Sequence, residues 1–175
     1  MNTTTQLLTI VLTFALSPTA FAQTQPADTD HSHVAEQSAT ALSNIDVPAE
    51  AKAAVAVVDA FGTALAAADF EQVEAMLDPA VIILESGGAE RSRDEYLGHH
   101  VRSDAKFLAG VHSMLSRRTA QVDGATVWVA SESELHASKD GQLTVLLSTE
   151  TMVLNNTPAG WKIVHIHWSS RPKNK

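Results

Sequence analysis

The segment from Gly160 to Arg171 constrains the fold most, because it has the pattern of one long β-strand. It is rich in branched and aromatic residues and follows the turn-forming stretch 155–160, Asn-Asn-Thr-Pro-Ala-Gly. Side chains alternate along a strand. One face would carry Val164, Ile166 and Trp168, and the other Ile163, His165, His167 and Ser169. The pattern predicts that the first row faces a core and that the imidazoles face away from it.

Residues 1–22 have the features of an export signal. Leu7 to Leu16 is a short apolar run, Ser17-Pro18 breaks it, and Ala20-Phe21-Ala22 matches a cleavage site. The run is too short to span a bilayer. We therefore expect a periplasmic or secreted protein that begins near Gln23, with no membrane insertion after cleavage of the signal.

Composition narrows the classes of function. The formal net charge is −8 and cysteine is absent. An acidic chain with no basic cluster apart from the short tail 171–175, Arg-Pro-Lys-Asn-Lys, disfavours nucleic acid as a partner. Without disulfides, an exported domain depends for its stability on packing or on oligomerisation.

Residues 23–45 are polar and predict a flexible leader. This leader contains His31 and His33 next to aspartates, a set that could bind Cu²⁺ or Zn²⁺ weakly. A solvated linker is the competing interpretation. No cofactor is predicted, and copper or zinc is kept as an alternative.

The domain itself is predicted over residues 46–172, starting with three helices. The first begins at Asp46 with a capping acid and an early proline, and runs to about Ala68. Asp69 caps a short second helix. A strand over 80–85 is continuously apolar, which predicts cover on both faces. Ser92 opens a third helix that is expected to end near Gly110.

Four long strands follow the helices, with a tight turn at Asp123-Gly124 and a looser one over 138–141. Long strands joined by hairpins form an antiparallel meander. The order of elements predicts an α+β fold.

The chain resembles the nuclear transport factor 2 superfamily, in its SnoaL-like and polyketide-cyclase-like branch. That group includes ketosteroid isomerase and the association domain of calmodulin-dependent kinase. The resemblance covers about 49–171 and is most specific in the strand Trp161 to Ser169, which is similar to the last strand of the kinase domain. Val111-His112 is also similar to that domain.

The resemblance implies a curved sheet wrapped around three helices as a cone with a pocket, and a homodimer built on the convex face. The kinase domain has an arginine at the position of Trp168 that points into the pocket. This implies that His165 and His167 lie on the convex side. Fold resemblance alone does not identify a function.

The same alternation of side chains in the two preceding strands identifies candidate pocket residues. If the larger apolar rows face inward, Glu132 and Trp128 point into the pocket from one strand, and Glu150 and Met152 from the next. The kinase domain carries arginines near these positions. Acids there predict a pocket for a cation, a metal or a neutral polar ligand. The competing interpretation places both glutamates on a wet face.

The third helix supplies the other candidates. Tyr96, His100, Asp104 and Phe107 fall on one helical face. Asp104 is expected to bond the His100 imidazole and fix its tautomer, making His100 a general base or a metal ligand. A structural polar pair is the alternative.

Three hypotheses follow from the sequence. The first is an exported protein with a pocket for an unknown small molecule. Such a protein either only binds its ligand or also catalyses proton transfer, with His100, Asp104, Glu132 and Glu150 as the candidate catalytic residues. Tyr96, Phe107, Trp128, Met152 and Trp168 would line that pocket. The second is a copper or zinc protein, with His100 and Asp104 or the leader histidines as ligands. The third is a non-catalytic homodimerisation module.

Overall fold

Seven strands form one mixed sheet in residues 44–139 and 142–173, which the computed structural model describes. The strands are β1 (Ile45–Asp46), β2 (Leu77–Glu85), β3 (Gly88–Glu90), β4 (Val111–Asp123), β5 (Thr126–Lys139), β6 (Gln142–Thr157) and β7 (Gly160–Pro172). Their order across the sheet is β1-β4-β5-β6-β7-β2-β3. The β1–β4 and β2–β7 pairs are parallel and the other pairs are antiparallel.

Helices cover one face of this sheet. They are a 3₁₀ helix (Ala49–Ala51), α1 (Lys52–Ala66), α2 (Phe70–Met76), α3 (Arg93–Gly98) and α4 (Val101–Leu108). α1 buries Val58, Phe61 and Leu65 on one stripe, the spacing that an amphipathic helix requires. The predicted cap of α2 is present, since Asp69 Oδ1 accepts a hydrogen bond of 3.1 Å from the Gln72 amide. No described helix has both the length and the apolar character that crossing a membrane would need.

The core lies between the helices and the concave face of the curved sheet. That face contributes Val127, Val129, Met152, Leu154, Ile163 and Ile166, all fully buried. We call the opposite face of the sheet the convex face. The predicted α+β class and the curved sheet around helices are confirmed, with four α-helices in the described residues instead of three.

A β-bulge corrects the predicted alternation in β7. Val153 pairs with His165 and Leu154 pairs with Ile163, so Val164 is the extra residue. Ile166 remains on the concave face as predicted. Before the bulge the alternation is reversed, and Ile163 is fully buried whereas Val164 is half-buried. The prediction that Val164 belongs to the core row and Ile163 to the histidine row was therefore wrong.

The alternation predicted for β5 was also wrong. Val127, Val129 and Ser131 are buried on the concave face, so the alternate residues Trp128 and Glu132 lie on the convex face. The Glu132 side chain is 57% exposed. In β6 the prediction agrees with the structure, because Met152 is buried on the concave face.

Two further sequence predictions are corrected by the structure. β2 is buried on one face only, through Val81 and Ile83, while Ile82 and Leu84 are exposed on the other. The predicted third helix is divided into α3 and α4 by a break at His99 and His100. The proposed signal peptide and the leader histidines His31 and His33 lie outside the described residues.

Candidate active site

A row of five side chains crosses the concave face from one side of the sheet to the other. Direct cross-strand pairing links Arg118 to Ser131, Ser131 to Glu150, Glu150 to Trp168, and Trp168 to Glu85. These residues come from β4, β5, β6, β7 and β2 in that order. Glu85 is exposed, whereas the other four side chains are buried or half-buried. Buried polar groups cost free energy unless they are paired, so the partners of this polar row matter.

Arg118 anchors the β4 end of the row. Its Nη1 contacts Asp59 Oδ1 of α1 at 2.6 Å, and its Nε donates a 3.1 Å hydrogen bond to Ser131 Oγ. The structure holds the guanidinium against α1, where it links the first α-helix to the sheet.

Glu150 and Trp168 occupy the middle of the row. The Trp168 indole Nε1 donates a 2.8 Å hydrogen bond to Glu150 Oε2. Burial raises the pKa of Glu150, an effect that this hydrogen bond partly offsets. The Trp168 ring also lies 6.4 Å, centroid to centroid, from the rings of both Phe61 and Tyr96. Trp168 thus connects the polar row to the helices, and the predictions for Glu150 and Trp168 agree with their positions on the concave face.

The break between α3 and α4 brings His100 to Glu90. α3 ends at Gly98, a residue type that commonly ends helices, and His100 directly precedes α4. His100 Nδ1 forms a hydrogen bond with Oε1 of Glu90 in β3. Glu90 is 4% exposed, whereas the His100 side chain is 61% exposed. A buried carboxylate therefore orients an imidazole that solvent reaches.

The hydrogen bond to Glu90, with the negative charge of that carboxylate, raises the pKa of His100. When Nδ1 carries the proton shared with Glu90, Nε2 is the basic nitrogen of the neutral ring. The expected partner Asp104 does not fix this tautomer. Glu90 does, and the sequence analysis did not select Glu90.

Asp104 is bonded to Tyr96 instead. The Tyr96 hydroxyl, on a fully buried ring, donates a 3.0 Å hydrogen bond to Asp104 Oδ2. Burial raises the pKa of Asp104, although the bond from Tyr96 acts in the opposite direction. Burial, followed by the negative charge of Asp104, raises the pKa of Tyr96 as well. The raised pKa of Asp104 makes its carboxyl easier to protonate than that of an ordinary aspartate, and the Tyr96 hydroxyl keeps its proton.

Glu85 joins this group from the end of β2. Burial raises its pKa, and the charge of Asp104 raises it further, while His100 lowers it. The charge of Glu90 contributes to the shifted pKa values of Glu85, Tyr96, His100 and Asp104. We call these five residues the acid–base cluster. Perturbed pKa values in such a group are typical of functional sites.

The remaining predicted site residues lie elsewhere. Phe107 is exposed on α4, and Trp128 and Glu132 are on the convex face. A hollow of about 260 Å³ is lined by Glu132 together with Thr149, Ser169 and Arg171, and lies away from the acid–base cluster. The structure thus brings together Tyr96, His100, Asp104, Glu150 and Trp168, with Met152 on the same concave face, and separates them from Phe107, Trp128 and Glu132.

The arrangement does not resemble a metal centre within the described residues. No group of three or more histidine, aspartate or glutamate side chains there is placed to hold a metal ion. His100 uses its Nδ1 for Glu90, and Asp104 accepts from Tyr96. The acid–base cluster is therefore organised by hydrogen bonds between its own members.

Comparison with known proteins gives the family. The family model of the SnoaL-like domain matches residues 54–172. None of the curated proteins matches this chain.

Solved structures agree with the family model. A candidate ketosteroid isomerase from Shewanella frigidimarina NCIMB 400 is 33% identical, with a TM-score of 0.64 over 67% of this chain and 94% of that one. The CaMKII hub of S. rosetta is 25% identical, with a TM-score of 0.62 over 71% of this chain and 100% of that one. A candidate dehydratase of the NTF2-like family from Streptomyces avermitilis is 23% identical, with a TM-score of 0.57 over 72% and 97%. This chain belongs to the SnoaL-like family of the NTF2-like superfamily.

Proposed function

We propose that this protein binds a small molecule over the concave face and catalyses proton transfer, with His100 as the general base. The observation that carries this proposal is the pairing of an exposed imidazole with a buried carboxylate, His100 with Glu90. A general base needs a partner that fixes its tautomer and orientation. Relatives named as an isomerase and a dehydratase support this class of chemistry.

The acids of the proposed reaction come from the same cluster. His100 Nε2 takes a proton from the carbon next to a carbonyl group, and the electron pair moves to the oxygen as an enolate. Protonated Glu85 or Asp104 returns a proton to a carbon of the enolate, because both have raised pKa values. The proton on His100 then passes back to that carboxylate, which restores the starting state of the protein. The net reaction is an isomerisation if the proton returns to a different carbon, and a hydrogen exchange if it returns to the same one.

The charge of the cluster favours a neutral or cationic substrate. Glu85, Glu90 and Asp104 contribute three carboxyl groups against one imidazole. The carboxylates would repel an anionic substrate, which would therefore bind poorly.

Deuterium uptake tests the proposed reaction without knowledge of the natural substrate. We expect the protein in D₂O to accelerate deuterium incorporation next to the carbonyl of at least one compound in a panel of small neutral ketones and β-keto esters. Proton NMR follows the loss of the signal from the exchanging C–H group. The acceleration has to disappear when the His100 imidazole is removed. A panel that exchanges at the protein-free rate throughout would favour the non-catalytic hypothesis.

We also propose that two copies associate through the convex face. Ile82 and Leu84 are exposed there and pair with His165 and His167 of β7. The half-buried Val153 of β6 and Trp128 of β5 continue the row that starts at Ile82 and His165. Hub and association domains among the similar structures support a homo-oligomer. An apolar patch of this kind on a sheet commonly marks an interface.

Ile82→Glu is expected to convert the dimer to a monomer, because the twofold axis would bring glutamates of both copies into an apolar contact. Light scattering after size exclusion measures the mass. Val122→Glu is the matched control, since Val122 is an exposed apolar residue of β4 outside this patch. A wild-type monomer, or a dimer that survives Ile82→Glu, would contradict the assignment.

A further inference from the structure

The outer edge of β4 differs from the other edge of the sheet. At the far side, the sheet ends in β3, which has three residues. β4 has thirteen residues, and β1 pairs only with its Arg118 and Thr119. Within the described residues, Val111–Arg117 therefore presents an unpaired strand edge. Long edges are normally shortened, charged or covered, because they can pair with other strands.

Among the residues that the structure describes, this edge has little of the usual protection. Val111 to Ser116 contains no Lys, Arg, Asp, Glu or Pro. Met114 is 51% exposed and Leu115 is 41% exposed. The one blunting feature is a bulge between Leu115 and Arg117. The chain has a net charge of −8, whereas this edge is uncharged and partly apolar. Such an edge can pair with a further strand.

The edge is already able to accept a strand. The Arg118 amide donates a 3.0 Å hydrogen bond to the Asn44 carbonyl, so it points away from β5. In an antiparallel pair, main-chain groups of successive residues point alternately toward and away from the neighbouring strand. When the bulge between Leu115 and Arg117 is included, the main-chain N–H and C=O groups of Ser113 and Leu115 point away from β5, as those of Arg118 do. Two donors and two acceptors are then available on the segment 111–117.

We propose that β4 pairs with β4 of a second copy, antiparallel and centred on Met114, which extends the sheet across two chains. In this register Ser113 of one copy lies opposite Leu115 of the other, and their outward main-chain groups exchange hydrogen bonds. Arg117 lies opposite Val111, so the strand brings no like charges together. An antiparallel pair of identical strands has the twofold symmetry that a closed dimer requires.

A contact of seven residues on each side spans about 20 Å. It buries less than the roughly 1,200–2,000 Å² of a stable protein interface. Edge pairing alone is therefore weak and reversible. It would join one convex-face dimer to another, because the same two chains cannot lie side by side and face to face at once. The proposal does not depend on the proposed reaction, because it uses neither the acid–base cluster nor the polar row.

The absence of native cysteine makes the register directly testable. In the proposed pair the two Met114 residues are directly opposite, with Cβ atoms about 5 Å apart, close to the separation in a disulfide. We expect the full-length Met114→Cys protein to form a disulfide dimer with oxidised glutathione at least about tenfold faster than Leu143→Cys. Leu143 is exposed and apolar but lies on β6, which makes it a matched control for random collision.

A second variant separates edge pairing from other contacts. Ser113→Pro removes one outward donor at a position where an edge strand tolerates proline. Adding it to Met114→Cys should reduce cross-linking to the rate of the control, while Ile82→Glu should leave the Met114→Cys cross-link in place. Equal rates for Met114→Cys and Leu143→Cys would overturn the proposal. So would fast cross-linking that survives Ser113→Pro, provided that circular dichroism shows each variant to be folded.

Discussion

Ile163→Ala is expected to lower the free energy of unfolding by about 2–5 kcal/mol, the range for truncating a buried aliphatic side chain. Ile163 is fully buried between the sheet and the helices. Val164→Ala, one residue away, is expected to cost about 1 kcal/mol or less, because Val164 is the half-buried extra residue of the bulge.

Urea unfolding followed by circular dichroism measures both changes. Equal slopes for the variants and the wild type would show that the midpoints report stability alone. Leu143→Ala serves as the control, since Leu143 is an exposed aliphatic residue of β6 outside the proposed interfaces. A larger loss for Val164→Ala than for Ile163→Ala would mean that β7 has no bulge at this position and that its first half alternates as the sequence suggested.

The order of elements was readable from the sequence because turns and capping residues have strong local signals. The register was not readable where bulges occur. The hairpin between Thr157 and Gly160 has two loop residues, so an odd-numbered residue of one strand should face an even-numbered residue of the other across β6 and β7. Beyond the extra residue Val164, even-numbered residues face even-numbered ones, and Glu150 faces Trp168. Nothing local in the stretch Lys162 to His165 marks the extra residue, since all of these side chains suit a strand.

In β5 a usable signal was missed. Val127 and Val129 alternate with Trp128 and Ala130, so both faces look apolar. However, Lys139 of β5 pairs with Gln142 of β6. With two residues between them, every even-numbered residue of one strand faces an odd-numbered residue of the other. Glu132 and Glu150 therefore could not share a face. Choosing the concave face of β6 from Met152 would have placed Val129 and Ser131 inward and Glu132 outward.

The partner of His100 could not be predicted by helical spacing. His100 and Asp104 are four residues apart, which suggests contact on a continuous helix. Because the helix breaks after Gly98, His100 turns to Glu90 on an edge strand ten residues earlier. That strand has three residues, too few to show a pattern. Long-range pairing in the sheet decides which carboxylate meets the imidazole.

Removing either half of this pair is expected to have the largest effect on activity. His100→Ala should reduce the catalysed deuterium uptake by about 10²–10⁴-fold, the usual contribution of a general base. Glu90→Gln keeps the shape of the side chain but removes its charge. It should lower the rate by disturbing the tautomer and should move the titration midpoint of His100 down toward about 6.5, the value of an unpaired imidazole.

The pH profile distinguishes this role from a structural one. A general base acts when it is neutral, so the wild-type rate rises with pH through a midpoint above the ordinary value for histidine, and the Glu90→Gln midpoint lies lower. NMR titration of the His100 ring measures the same shift independently of turnover. The pair also stabilises the fold fully below about pH 6.5, and that stability is lost as the pH rises through the folded-state midpoint, because protonation favours the folded state.

Glu132→Gln is the matched control, with the same chemical change on an exposed carboxylate of the convex face. It should leave both the rate and the His100 midpoint unchanged. Three outcomes would contradict the assignment of His100 and Glu90: a His100 midpoint that Glu90→Gln does not move, full activity in a folded His100→Ala protein, or an equal loss in Glu132→Gln. Since Glu90 is 4% exposed and contacts the imidazole directly, an unmoved His100 midpoint in a folded Glu90→Gln protein would mean that this pair does not form in solution.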